Sequence, residues 1–363
     1  MKKGLFVCNS VYQILVASWI KYTYFQSDSF DVIVTDHMNG YESIAANLAE
    51  TGLFDNVHIV NSKDYVHCDG ERYSNFIEKA FYYRFPDKEL KKYFVPDRKY
   101  DIVFFANYDT FARLLFDVLK RKNKNISLNI YEDGLASYSV LTKKYYNIQK
   151  PSASKLKAFV NKHVFNCQYM HGNIERLYIF NKDLSEWNPD CELFEIKKID
   201  CRDEKFKSCI NRVFDYQNLK DTYDEKYIFF EESFYAETGF TEDVELIEEL
   251  AKRVGKDNLL IKIHPRNPEN RFEKLGYKTN KDTAIPWEVI ALNKDLTDKV
   301  LISISSTSIL NPKSILDIDV RVVSIVKCLK NKPKLINDEF YNTLMSFCDY
   351  FDNIELADSI EEI

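Results

Sequence analysis

The feature that most constrains this chain is a run of short apolar segments alternating with longer segments of helical period, which breaks off once and then restarts. In the first run, Gly4–Cys8, Asp31–Thr35, Val57–Val60, Asp101–Ala106, Ile126–Tyr131 and Leu177–Phe180 read as buried strands. Between them, Val11–Tyr24, Glu42–Thr51 and Thr110–Lys120 read as helices. In the last of these, Phe111, Leu114, Leu115 and Val118 recur at helical spacing along one face. Strands that are apolar throughout can leave neither face to water, so their alternation with helices implies a parallel sheet covered on both sides.

The second run repeats the scheme. Tyr227–Phe230, Leu259–Ile263, Val300–Ser303 and Val320–Val326 are expected strands, with helices over Thr241–Val254 and Pro286–Leu292. Thr241 offers a capping oxygen ahead of Glu242 and Asp243, acids suited to a first helical turn. The polar stretch Asn188–Asp224 reads as irregular and is where the boundary is expected. The expectation is an α/β protein with two Rossmann-like domains facing across a cleft, residues 1–200 and 201–363. In such sheets ligands bind beyond the carboxyl ends of the strands, so the residues just after each strand matter most.

A length of 363 residues suits two domains, and a formal net charge of −6 weighs against a general nucleic-acid binder. Basic runs at Lys120 to Lys124 and Lys143 to Lys162 read either as solvated faces or as a surface meeting an anionic membrane or glycan. The eight cysteines show no CxxC spacing. His163, Cys167 and His171 fall four apart, as metal ligands on one helix face would, but no second cluster accompanies them and structural thiols are the simpler reading. Asn9, Ser10 and Gln13 interrupt the apolar opening, and no apolar run approaches the roughly 20 residues of a membrane span. The expected location is the cytoplasm, with room for peripheral contact with the inner membrane face.

Three strand exits carry chemistry. Ile261-Lys262-Ile263-His264-Pro265-Arg266 places an imidazole between two cations, a setting for an anionic group such as a nucleotide phosphate. Tyr131-Glu132-Asp133-Gly134 turns two carboxylates out of a strand, as a general base for an attacking hydroxyl requires, although Asp-Gly is also ordinary turn chemistry. Ser303-Ile304-Ser305-Ser306-Thr307-Ser308 sets hydroxyls and amides at an expected helix start, which serves either as an anion site or as a plain cap.

Taken together, acid-acid-Gly in the first half, His-Pro in the second and paired serines after the next strand resemble the bacterial sialyltransferases. The best resemblance is to glycosyltransferase family 52, the lipooligosaccharide and capsule sialyltransferases. The opening Cys8-Asn9-Ser10-Val11-Tyr12-Gln13 is similar to that family's Cys-x-Thr-Pro-x-Gln, with Ser10 and Val11 in place of Thr-Pro. Arg176–Asn181 fits the end of its first domain.

The resemblance implies a GT-B fold and inverting, metal-independent transfer of sialic acid from CMP-sialic acid to a terminal sugar, galactose by preference, of a bacterial surface glycan. No cofactor is implied beyond that donor. His264 would contact the donor phosphate as the acid assisting CMP departure, with Lys262, Arg266, Ser305, Ser306 and Thr307 around it. Glu288 would meet the ribose hydroxyls. The base would be Glu237, with Glu232 in reserve, or an acid of the Glu132-Asp133 pair. Asn9, Gln13, Asn107 and Tyr108 could face the acceptor. Asp317 and Asp319 have DxD spacing but lead into a strand and read as surface acids. A UDP-sugar-dependent hexosyltransferase and a non-catalytic nucleotide- or glycan-binding protein stay open as alternatives, and a homodimer is compatible with this reading.

Overall fold

The computed structural model describes residues 1–67, 76–139, 143–144, 146–147, 150–186, 190–333 and 336–363. By its internal contacts the chain divides into two compact units. Unit 1 comprises Met1–Asp133, Val140–Lys182 and Trp187–Ile196; unit 2 comprises Gly134–Ser139, Asp183–Glu186 and Lys197–Ile363. Two short segments of the first half, including the residues that follow Asp133, thus belong to the second unit.

Unit 1 is built on a parallel sheet of seven strands: β1 (Lys3–Cys8), β2 (Ser29–Thr35), β3 (Asn56–Val60), β4 (Ile102–Phe105), β5 (Ser127–Tyr131), β6 (Ile174–Ile179) and β7 (Glu192–Glu195). Their spatial order is β3-β2-β1-β4-β5-β6-β7. Burial of β1, β2 and β4 along almost their whole length explains their apolar runs, which in β2 are interrupted by the buried Asp31. Phe6 stacks on Phe104 with ring centroids 4.4 Å apart and meets Phe30 and Tyr131, so aromatic rings fill much of this core. Gly4 is required by that packing, since a Cβ there would stand 1.9 Å from the Phe30 ring. Ser10 caps the Val11–Tyr24 helix by accepting the Gln13 N–H, and Asp109 caps Thr110–Lys122 by accepting that of Ala112.

Unit 2 carries a parallel sheet of six strands: β8 (Tyr227–Phe230), β9 (Leu259–Lys262), β10 (Lys278–Thr279), β11 (Val300–Ser303), β12 (Arg321–Ser324) and β13 (Ile354–Leu356). The order β10-β9-β8-β11-β12-β13 reproduces the doubly wound 3-2-1-4-5-6 pattern. Both sheets therefore reverse direction beside their first strand, between β1 and β4 and between β8 and β11. These two switch points are where a doubly wound sheet opens a crevice for a ligand.

The structure departs from the sequence reading in several places. The stretch 188–224 is not irregular throughout: it contains β7 and the amphipathic Glu204–Val213 helix, which buries Phe206, Ile210 and Val213. Thr241 does stand at the N-cap, but its hydroxyl makes no capping bond: its backbone, at φ −132° and ψ −4°, lies outside the extended conformation from which a cap side chain reaches the first-turn amides. The helix expected after Ser308 is only a three-residue 3-10 turn, Thr307–Ile309, followed by Asn311–Ser314. A stack of aligned peptide dipoles is absent there, so any anion affinity rests on hydroxyls and individual amides.

Candidate active site

At the switch point of unit 1, residues after β1, β4 and β5 form one hydrogen-bonded group. The Gln13 side chain is buried; it donates to Asn107 Oδ1 at 2.6 Å, accepts the Asn9 N–H at 2.6 Å and hydrogen-bonds Asp133. Asn9 donates to Asp109 Oδ2 at 2.8 Å and accepts from Thr35 Oγ1 at 2.9 Å. Asn9 and Gln13 thus lie beside the acid-acid-Gly turn, with their amides largely committed to holding it.

The two acids of that turn differ. Glu132 is buried, accepting from Tyr12 Oη at 2.8 Å and from the Phe180 N–H at 2.9 Å. It ties β5 to the first helix and to the end of β6, a structural use of both carboxylate oxygens. Asp133 is half-buried, and desolvation raises its carboxyl above the usual range against the opposing pull of Gln13. A raised carboxylate is a stronger base than an ordinary one.

At the switch point of unit 2, two adjacent glutamates after β8 reach in opposite directions. Glu231 turns toward β9 and accepts the His264 N–H at 3.0 Å. It also pairs with Arg271 at 2.9 Å, and Arg271 pairs with Asp243 while lying over the Tyr235 ring. Glu232 turns toward β11, accepting from Ser303 Oγ at 2.8 Å and from the N–H and hydroxyl of Ser305. Burial pushes the Glu232 carboxyl up to about 7, aided by Asp243, while the Ser305 and Ser303 hydrogen bonds pull it down. The exits of β9, β8 and β11 are thereby pinned to one another.

His264 is half-buried, and its imidazole is pushed down to about 4 by burial first and then by Arg266 and Lys262, with Glu237 opposing. Its Nδ1 accepts the Arg266 N–H at 3.2 Å, which assigns the neutral ring's proton to Nε2. Without an anion beside it, the ring is therefore a neutral N–H donor at pH 7. Lys262 is held down by desolvation, with the nearby Glu288 partly restoring its charge. Glu288 is buried, is raised by that burial and accepts from Asn311.

Ser306 Oγ accepts the Ser308 N–H, and the Ser306 N–H donates to Ser303 Oγ. Thr307 Oγ1 would lie 3.7 Å from a Cβ placed on Gly134, whose φ of +71° suits glycine. Glu237 stands apart from this buried network: it is exposed on the short Phe234–Thr238 helix, bonded to Ser233 Oγ at 2.6 Å and paired with Arg266 at 3.2 Å. Asp317 and Asp319 are exposed and paired with Lys198 and Lys313, as surface acids would be.

Among the described residues, the one group of acids and histidines close enough to share a cation is Asp31, His58 and Asp97. Asp31 is already engaged by Arg98, Tyr100 and Asn56, so this cluster reads as an internal tie. The Lys155–His163 helix ends before Cys167, so His163, Cys167 and His171 do not share a helix face.

The family description "Alpha-2,8-polysialyltransferase (POLYST)" matches residues 4–325, which covers both sheets through β12. The chain belongs to the alpha-2,8-polysialyltransferase family. It is a glycosyltransferase of a sialyltransferase family, and the resemblance read from sequence holds at that level; the match does not single out family 52. No curated protein sequence matches.

Among solved structures, Arabidopsis thaliana UGT89C1 complexed with UDP-L-rhamnose aligns over 100% of this chain and 88% of its own, with a TM-score of 0.51 and 9% identity. Spinosyn forosaminyltransferase SpnP (96% and 91% covered, TM-score 0.48, 9% identity) and LpCGTa in complex with UDP (99% and 85%, 0.48, 9%) are also similar. The polysialyltransferase-family chain has the two-Rossmann-domain GT-B fold.

Sequence reasoning passed over four residues of these two strand-exit groups: Asp109 and Tyr12 in unit 1, Glu231 and Arg271 in unit 2. Glu231 carried a signal, being an acid directly at a strand exit. Arg271 carried none, because its partners Glu231 and Asp243 lie 40 and 28 residues away in sequence.

Proposed function

We propose that this member of the family transfers a sialyl group from CMP-sialic acid to a sugar hydroxyl with inversion and without a metal ion. The observation that carries the reading is the family match across both sheets, on a chain in which the adjacent glutamates after β8 bond the β9 exit at His264 and the β11 exit at Ser305. In this reading the bond between the anomeric carbon and the phosphate oxygen breaks, and CMP departs carrying the electron pair. His264 Nε2–H, Lys262 and the serine hydroxyls stabilise that oxygen as charge develops on it. CMP leaves as a monophosphate, so the charge to be neutralised is smaller than for a diphosphate.

Asp133 is assigned the proton of the attacking hydroxyl. Asp133 combines a raised basicity with partial exposure and is held by the Gln13 side chain; Glu232 shares both properties but is held by Ser303 and by the N–H and hydroxyl of Ser305, Glu132 is bonded to Tyr12 and the Phe180 N–H, and Glu237 is ion-paired at the surface. Glu288 serves the donor ribose. The family's name favours an acceptor that itself ends in sialic acid, with a galactose terminus as the comparison.

Incubation of the purified chain with CMP-sialic acid and either sialyl-lactose or lactose, read by product mass, tests the reading. The expected product is one or more sialyl units heavier, and activity should persist in EDTA. Transfer from a UDP-hexose instead, strict dependence on added metal, or thermal stabilisation by CMP-sialic acid with no turnover would each overturn it. Asp133→Asn should lower kcat by about 10²–10⁴-fold, whereas Glu237→Gln should stay within a few-fold of the parent. The reverse ranking would move the base to Glu237.

A further inference from the structure

The helix Lys155–His163 in unit 1 buries none of its residues. Its large apolar side chains face water: Leu156 is 74% exposed, Phe159 59%, and Val164 just beyond it 53%. An amphipathic helix in a soluble domain ordinarily turns such a stripe inward. Here the stripe is flanked instead by Lys155, Lys157 and Lys162.

The surroundings are basic as well. No acidic residue occurs in sequence between Asp133 and Glu175, and six lysines lie between 143 and 163 in a chain of net charge −6. A groove of about 810 Å³ beside the helix is lined by Lys120, Lys124, Phe159, Lys162 and His163 among others. Among the described residues, Lys124, Lys150, Lys155, Lys157 and Lys162 form no ion pair. Arg121, by contrast, is fully used, pairing with Asp117 and donating to the Tyr83 and Phe165 carbonyls.

We propose that this face docks on an anionic lipid surface, with Leu156, Phe159 and Val164 entering the acyl boundary and the lysines meeting the headgroups. Exposed aliphatic side chains favour lipid over a polyanionic glycan, since leucine and valine offer a hydrated sugar nothing that water does not. Unpaired lysines beside them supply the charge complementarity that a single apolar stripe lacks. The position suits this role. The Thr110–Lys122 helix runs back from the exit of β4 to the start of β5, so its basic end lies at the amino edge of the sheet. The exits bearing Asn9, Gln13 and Asp133 are at the opposite edge and stay open to substrate. The proposal is independent of which donor or acceptor the enzyme uses.

Vesicle flotation of the full chain tests it, comparing phosphatidylcholine alone with phosphatidylcholine–phosphatidylglycerol mixtures. The parent should float only with the anionic mixture, and less at high salt. Leu156→Ser/Phe159→Ser and Lys155→Glu/Lys157→Glu should each weaken binding at least about tenfold. Val95→Ser, at an exposed apolar residue elsewhere, should not. Circular dichroism and turnover on a soluble acceptor should be unchanged in all three, because the substituted side chains are exposed and outside the substrate site. No binding by the parent, or equal binding by the apolar double variant, would overturn the proposal. So would displacement by a soluble polyanionic glycan that the apolar variant binds equally well.

Discussion

Arg271→Met is expected to cost unit 2 about 3–5 kcal/mol, the range for leaving buried charge without its partner. Arg271 is 10% exposed as a side chain, between Glu231 at 1% and Asp243 at 8%. Removing the guanidinium strands two carboxylates in a low-dielectric pocket. Burial already holds the Asp243 carboxyl above its usual range against the pull of Arg271, so without the guanidinium the folded state binds protons more tightly still than the unfolded chain, whose acids ionise at about pH 4. The sign follows: below about pH 4 both states hold these protons and the penalty is small, and it grows as pH rises, because the unfolded chain releases them first. Denaturation at pH 5 and pH 8 should therefore show a larger deficit at pH 8. Adding Glu231→Gln and Asp243→Asn to Arg271→Met should recover much of the loss, since a neutral amide oxygen can still accept the His264 N–H. Equal stability of Arg271→Met and parent at both pH values would mean that this ion cluster does not hold the β8 and β9 exits together.

The same cluster marks the limit of what was legible in the sequence. Strand and helix positions were readable because burial on both faces imposes apolar runs of strand length, as in Ile102–Phe105 and Val300–Ser303. Strand exits were readable for the same reason: whatever follows such a run lies at the sheet's edge. That is how His264, Ser305, Asp133 and Glu232 were found without any structure. β10 and β13 were missed because strands of two and three residues are too short to show periodicity.

What a strand-exit side chain bonds to was not readable, because its partners come from other strands. Glu132 and Asp133 are neighbours of identical charge, yet the first bonds Tyr12 and the Phe180 N–H and the second bonds the Gln13 side chain. Glu232 and Glu237 both follow β8; the first lies against the β11 exit and the second at the surface. Sequence could nominate this set of acids, but only the hydrogen bonds rank them.

The second large effect concerns His264. His264→Ala should lower kcat with CMP-sialic acid by about 10²–10⁴-fold, the usual range for a positioned proton donor, with a smaller change in KM. His264→Gln, which retains an N–H donor of similar reach, should recover part of that loss if the ring works as a neutral donor. The pH dependence separates this role from acid catalysis by a pre-formed imidazolium. Burial, Arg266 and Lys262 push the free ring down to about 4. Because kcat/KM reports ionisations of the free enzyme, a requirement for imidazolium would make it fall tenfold per unit above about pH 4. A neutral ring donating through Nε2–H gives no alkaline limb from His264 between pH 5 and 8. An acid limb would come instead from the raised Asp133 carboxylate, which can no longer accept the hydroxyl proton once it is protonated. A profile whose alkaline limb disappears in His264→Gln would refute the neutral-donor role, and unchanged kcat in His264→Ala would remove His264 from the donor site altogether.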